Sequence, residues 1–463
     1  MENYLSEIVK FANSILWDKM ILLFLLLGTG IYYTIRLNFV QIRKFPIGLK
    51  NMFSGFSLNG QKNKDGLSSF QALTTAIAAQ VGTGNIAGAA TAIYEGGAGA
   101  IFWMHVSAFF GMATIFAEAI LAQKTRKLVD GNYVGGPVYY INYIFKGKFA
   151  KILSSCFSIT IILALGFMGN MVQSNSIAVS FVNAFGGKNI FVGLFVGIIS
   201  SFIFLGGIKR IASITEKIVP MMALFYIIGC IIIISKFSNN LLPAIKSIYV
   251  MAFNPQAMWG GAMGITVQKA MRYGVAKGLF SNEAGMGSTP HAHATANVKN
   301  PSEQGMIAMV GVFIDTFIIL TLTALVILTT NSISSGYTGS QLAQYAFVQG
   351  FGSFGNIFIA ICMFFFAFTT IIGWYYFGEV NFRYLFGSKS VKIYSIMAVL
   401  FVTIGSKLSV QLVWDMADMF NGFMVIPNII ALAFAGKIVK DTMIEDELSN
   451  KNIKLEETAA ILR

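Results

Sequence analysis

The chain has 463 residues, of which 56% are hydrophobic and only 11% charged, with a net charge of +13 and a mean hydropathy of +0.69. Soluble domains carry about 25% charged residues. The composition therefore excludes a soluble enzyme or a nucleic-acid-binding protein and points to a polytopic membrane protein, in which the position of the positive charge sets the topology.

Eleven apolar segments follow in chain order, at residues 15–35, 67–94, 99–123, 152–184, 189–206, 214–235, 262–296 (broken), 305–330, 353–381, 391–406 and 411–436. Several reach the roughly 20 residues that span a bilayer. Glu2, Glu7 and Asp18 flank the first, and no small-residue cleavage pattern follows it, so it reads as a retained helix and not as a signal peptide. With the N-terminus outside, the inside stretches 36–66, 123–151, 207–217, 297–304, 382–392 and everything after 436 hold 24 of the 33 Lys and Arg residues. The positive-inside rule then predicts an external N-terminus, a cytoplasmic C-terminus and a multi-pass protein of the cell (inner) membrane. Cys156, Cys230 and Cys362 lie in apolar segments without metal-like spacing and read as small core residues.

Setting aside the first helix and its cytoplasmic loop (1–66), five segments occupy 67–235 and five more 262–436, joined by an extracellular connection at 236–261 and followed by a cytoplasmic tail at 437–463. An odd number of spans gives the two halves opposite orientations. Each half opens with a segment interrupted by glycines and small polar residues: QVGTGNIAG from Gln80, and GLFSNEAGMGSTP over 278–290. An all-α membrane protein with an extra N-terminal helix, a 5+5 inverted-repeat core and two discontinuous helices has this pattern, which is that of a secondary transporter.

The G-x-G at Gly82–Gly84 is no nucleotide fingerprint, because its third glycine, Gly88, comes one position late and no Gly-Lys-Ser/Thr follows. Gly84 and Gly88 alone fit close helix packing. Gln80, Thr83 and Asn85 at the same depth do not, because unwound backbone survives in a membrane only where it lines a cavity. The half-helix starting near Asn85 offers free N–H groups to an anion, and the one ending near Ala79 offers carbonyls to a cation. At the second break, Ser281, Asn282 and Glu283 precede Gly285 and Gly287. A carboxylate at membrane depth is functional by default: Glu283 either touches the ligand or staples the two breaks. Lys269, Arg272 and Lys277 are expected in an outer vestibule, and Glu118 and Asp315 as partners between helices. His291 and His293, two apart, do not share a helix face. No nucleophilic triad, catalytic carboxylate pair or zinc motif is visible, so no enzyme is expected.

QVGTGNIAGAATAI, FWMHVSAFFGMATIFAEAILA, GLFSNEAGMGSTP and GWYYFGE together resemble the sodium:alanine (alanine or glycine) cation symporter family over residues 15 to 436. The resemblance implies a leucine-transporter-like fold and sodium-coupled uptake of small neutral amino acids by alternating access. It implies a substrate carboxylate on the backbone of Thr83, Gly84 and Asn85 with Gln173 as donor. The ammonium falls at carbonyls around Phe280, Ser281 and Asn282 with Glu283 close by. Phe167 and Trp374 cap the side-chain pocket, and Thr370 borders it. A co-transported Na+ is bound by carbonyls of Ala78 and Val81 and hydroxyls of Thr369 and Thr370. The implied partners are the amino acid, sodium and the lipid bilayer, with no nucleic acid, and a monomer would suffice. The alternative is a proton-coupled transporter of the same fold, with Glu283 as the proton carrier. A channel fits less well, lacking a filter ring, as does a membrane enzyme.

Overall fold

A computed structural model describes residues 2–54, 67–254 and 266–461. Residues 55–66, the end of the expected first cytoplasmic loop, and 255–265, where the extracellular connection was expected to pass into the broken seventh segment, lie outside the described residues.

Among the described residues, eight helices are long and apolar enough to cross a membrane. The principal helices are α1 (Ser6–Arg36), α2 (Ser69–Gln80) and α3 (Ala89–Gly96), α4 (Gly99–Thr125), α5 (Gly147–Phe185), the shorter α6 (Asn189–Phe204) and α7 (Gly207–Lys236). They continue with α8 (Val267–Asn282) and α9 (Pro290–His293), α10 (Pro301–Thr329), α11 (Phe354–Phe386), α12 (Val391–Gly405) and α13 (Val410–Ile461).

Both interrupted segments are discontinuous, for local reasons. Helix α2 starts on a capping box, with Gln71 N–H donating to Ser68 Oγ and Ser68 N–H to Gln71 Oε1, each at 3.1 Å. It stops where Val81 leaves helical geometry at ψ 87°, and the chain resumes through a π-helical turn at Gly84–Gly88. Helix α8 starts on Thr266, whose hydroxyl accepts from Lys269 N–H at 3.2 Å, and stops where Glu283 turns left-handed at φ 57°. Gly285 (φ 87°) and Gly287 (φ 78°) continue the turn, in a region L side chains rarely adopt.

Two stretches between the expected apolar segments are themselves helical. Leu241–Phe253 and Gly339–Phe351 form helices, the first packing Met251 and Ala252 so closely on Gly99 that a Cβ there would overlap their backbone. Helix α1 runs along α13 and bonds its main chain: Asn13 Nδ2 donates to Asp415 O at 2.8 Å, Trp17 Nε1 to Asp418 O at 3.1 Å and Tyr33 Oη to Leu432 O at 2.6 Å. Helix α13 continues unbroken into the tail. There Glu447 pairs with Lys44 at 2.6 Å and Glu445 with Lys124 at 3.6 Å, and Asp446 accepts from the N–H of Ser302 at the start of α10 at 2.8 Å.

Candidate functional site

The two breaks meet in the middle of the molecule, and Asp315 lies between them. This fully buried carboxylate sits in a second π-helical turn, Phe313–Leu320 of α10. Its Oδ1 accepts from Asn85 Nδ2 at 2.7 Å and from Ser281 Oγ at 2.9 Å, and its Oδ2 from Thr316 Oγ1 at 2.8 Å. Asn85 also donates to the Asp315 carbonyl at 3.1 Å. Gln80 Nε2 donates to the carbonyl of Asn282 at 2.8 Å, and a Cβ on Gly84 would stand 2.9 Å from Ser281 Cα. Gly84 therefore serves a close backbone approach between the breaks. Asp315 is the only charged residue between 305 and 330, so the scarcity of intramembrane charge marks it, but its place at the centre of the site was not foreseen.

At the first break Asn85 folds back, its Oδ1 accepting from Gly82 N–H at 3.0 Å. Gln173 reaches it from α5, its Oε1 accepting from Thr83 N–H at 3.2 Å. Gln173 Nε2 and Thr83 Oγ1 are buried and have no protein partner. The second break is filled differently. Its left-handed glycines aim two N–H groups at Glu118, Gly285 at 3.0 Å and Gly287 at 2.9 Å, an anion-binding concavity that a protein carboxylate already occupies. Asn428 Nδ2 adds a third donor to Glu118 at 2.7 Å.

Glu283 neither staples the breaks nor presents free oxygens. Its Oε1 accepts from Trp374 Nε1 at 2.5 Å and its Oε2 from Ser288 Oγ. The Trp374 indole packs edge-on against Phe280, centroids 5.4 Å apart, and Phe280 meets Trp414 at 4.8 Å. Phe167 does not join this cluster: it stacks on Phe401 at 4.4 Å and tilts against Tyr394 at 5.7 Å. Within its π-helical turn, Ile162–Gly169, it is Gly169 that lies under the Trp374 ring.

Thr370 Oγ1 donates to Ala78 O at 2.9 Å and to Phe366 O at 3.0 Å and lies beside Gly82, so two of the four expected ion ligands, Ala78 and Thr370, meet at the end of α2. Thr369 is not brought there. Its hydroxyl donates to Phe365 O at 2.9 Å and Phe366 O at 3.0 Å and faces Met222 Sδ at 3.7 Å, the back-bonding common for helical threonines.

A cavity of 630 Å³ opens above the first break, on the side carrying the N-terminal end of α1, with Ala87, Asn175 and Trp414 in its lining. Lys277 on its wall pairs with Asp418 at 2.7 Å and lies 4.6 Å over the Trp414 ring. Arg272 also lines it, whereas Lys269 borders a neighbouring depression. At the opposite end, polar contacts join the helices. Tyr140 Oη donates to Asn428, His291 bridges Ser288 O at 2.6 Å and Asn381 at 2.8 Å, and His293 meets Gln304 at 2.8 Å.

Discontinuous helices meeting under a vestibule define the class: a helical membrane transporter. The solved structure of a manganese transporter mutant from Eremococcus coleocola is similar to this chain in fold alone, with a TM-score of 0.50 at 12% identity over 79% of this chain and 76% of that one. The model of the sodium:alanine symporter family matches residues 1–458. A sodium/alanine symporter, AgcS, of Methanococcus maripaludis is 41% identical over 97% of this chain and 99% of its own length. A probable sodium/glutamine symporter, GlnT, of Bacillus subtilis is 40% identical over 95% and 90%, and an uncharacterized transporter of Haemophilus influenzae 42% over 95% and 90%. The chain belongs to the sodium:alanine symporter family; it is an amino-acid cation symporter and not an enzyme.

Proposed function

We propose that the protein is a sodium-coupled importer of small neutral amino acids, alanine and glycine, in the cell membrane, with its vestibule facing outward and its two halves forming an inverted repeat that alternates access around the breaks. The observation that carries this reading is the pair of unpartnered buried donors at the first break, Thr83 Oγ1 and Gln173 Nε2. They lie where the half-helix leading into α3 begins and its dipole favours an anion. The matching cradle at the second break holds Glu118, so the substrate carboxylate belongs to Thr83, Gly84, Asn85 and Gln173. The ammonium then falls to the carbonyls of Phe280 and Ser281 at the end of α8, because that of Asn282 already accepts from Gln80. Trp374 and Phe280 bound the side-chain space and keep it small. The family to which the chain belongs favours sodium over a proton as the coupling ion.

Sodium prefers oxygen ligands, as other hard cations do. Carbonyls of Ala78 and Val81 with the Thr370 hydroxyl form a cage joining α2 to α11, and binding there stabilises the open vestibule. Ion and substrate affinities are then coupled reciprocally, by about 1–3 kcal/mol. Thr370→Val keeps the shape and removes one ligand oxygen. It is expected to raise the sodium concentration for half-maximal alanine uptake by roughly tenfold, equivalent to about 1.4 kcal/mol, and to change alanine binding at saturating sodium less. Thr369→Val, whose hydroxyl bonds back within α11, is expected to behave as the parent protein. Unchanged sodium dependence in Thr370→Val would remove this site.

A further inference from the structure

Trp374 is held at three points. A Cβ on Gly169 would overlap its ring from below, Phe280 meets it edge-on at an interplanar angle of 86°, and its Nε1–H donates to Glu283 at 2.5 Å. The first two contacts limit the ring's position, but only the third fixes which way the indole points. Glu283 is itself anchored by the hydroxyl of Ser288. The Ser288 carbonyl in turn meets His291 Nδ1, and His291 Nε2 meets Asn381 on α11, so the anchor is tied to α11.

The backbone of Glu283 adds a second observation. It is left-handed, φ 57°, a conformation uncommon outside glycine, asparagine and aspartate. Such outliers persist where the surrounding structure over-determines them, typically at ligand clamps. A glycine would adopt this turn without strain. What glutamate adds is an acceptor that reaches the indole, without which a buried N–H would be left unpaired.

We propose that Glu283 is a positioning residue for substrate selection: its carboxylate, anchored by Ser288, holds the Trp374 indole as the wall that excludes amino acids larger than alanine. This rests on the reading that Trp374 bounds the side-chain pocket. Glu283 then acts on the substrate through Trp374 and not by pairing with the ammonium.

The test is sodium-driven alanine uptake by the full chain in proteoliposomes, with leucine as competitor, in Glu283→Gln, Glu283→Asn, Ser288→Ala and Trp374→Ala. Glutamine has the same reach and keeps an oxygen for the indole; asparagine tolerates the left-handed backbone but is one methylene too short. A methylene in such a pocket is worth about 10- to 200-fold in discrimination, so Trp374→Ala and Glu283→Asn are expected to lower the leucine-to-alanine ratio of inhibition constants by about tenfold or more, and Glu283→Gln to leave it within about twofold. Ser288→Ala is expected to move the ratio in the same direction by less. If Glu283→Asn keeps the parent ratio while Trp374→Ala relaxes it, Glu283 does not position the ring. If Glu283→Gln loses alanine affinity as severely as Glu283→Asn, the charge meets the ammonium directly and the proposal is overturned. If Trp374→Ala still excludes leucine, the pocket assignment itself fails.

Discussion

Gly84→Val is expected to abolish alanine uptake while leaving the protein in the membrane. The two unwound segments touch through their backbones at this point: a Cβ on residue 84 would stand 2.9 Å from Ser281 Cα and 3.0 Å from Ser281 Cβ. Overpacking a well-packed interior costs about 1–3 kcal/mol, and here the obstacle is a main chain that cannot rotate away. The branched side chain would wedge the breaks apart and separate Thr83 and Asn85 from Ser281, the residues that bind opposite ends of the substrate in this account. Radiolabelled alanine binding to the purified variant is the measurement. Parent-like affinity would show that the breaks need not touch.

Asp315→Asn is expected to be nearly as severe. The carboxylate accepts from Asn85, Ser281 and Thr316, and an amide at the same place presents N–H groups to donors. Leaving a buried polar partner unpaired typically costs about 1–3 kcal/mol, so the melting temperature should fall and transport should drop with the loss of contact between the breaks. A variant with normal transport and normal melting temperature would show that Asp315 does not hold the breaks together.

The breaks were legible in the sequence because glycine and small polar residues stand out in an apolar helix, and because unwound backbone needs a cavity. Fully buried Asp315 and Glu118 were legible as charges out of place. Azimuth was not. Thr369 and Thr370 are adjacent, yet only one reaches Ala78, because successive helical residues point about 100° apart. Gly169 meets Trp374 while Phe167 stacks on Phe401, within a π-helical turn, a feature that has no clear sequence signal and tends to occur at functional sites. The same turn type at Gly84–Gly88 and Phe313–Leu320 places Asn85 and Asp315. Glu283 stands out in the sequence as a carboxylate at membrane depth, but its partners lie 91 residues on and 5 residues on, and only the fold brings both to one carboxylate. The helical connections at Leu241–Phe253 and Gly339–Phe351 were missed because their apolar faces are covered by tertiary packing that the local pattern does not announce.

The most direct test of sodium-coupled amino-acid import is uptake of labelled alanine into proteoliposomes containing the purified chain, driven in turn by an inward sodium gradient without a pH difference and by an inward proton gradient without sodium. The account predicts concentrative uptake with sodium alone, collapse of uptake when the sodium gradient is dissipated, and none with protons alone. Concentrative uptake driven by the proton gradient in the absence of sodium would contradict it.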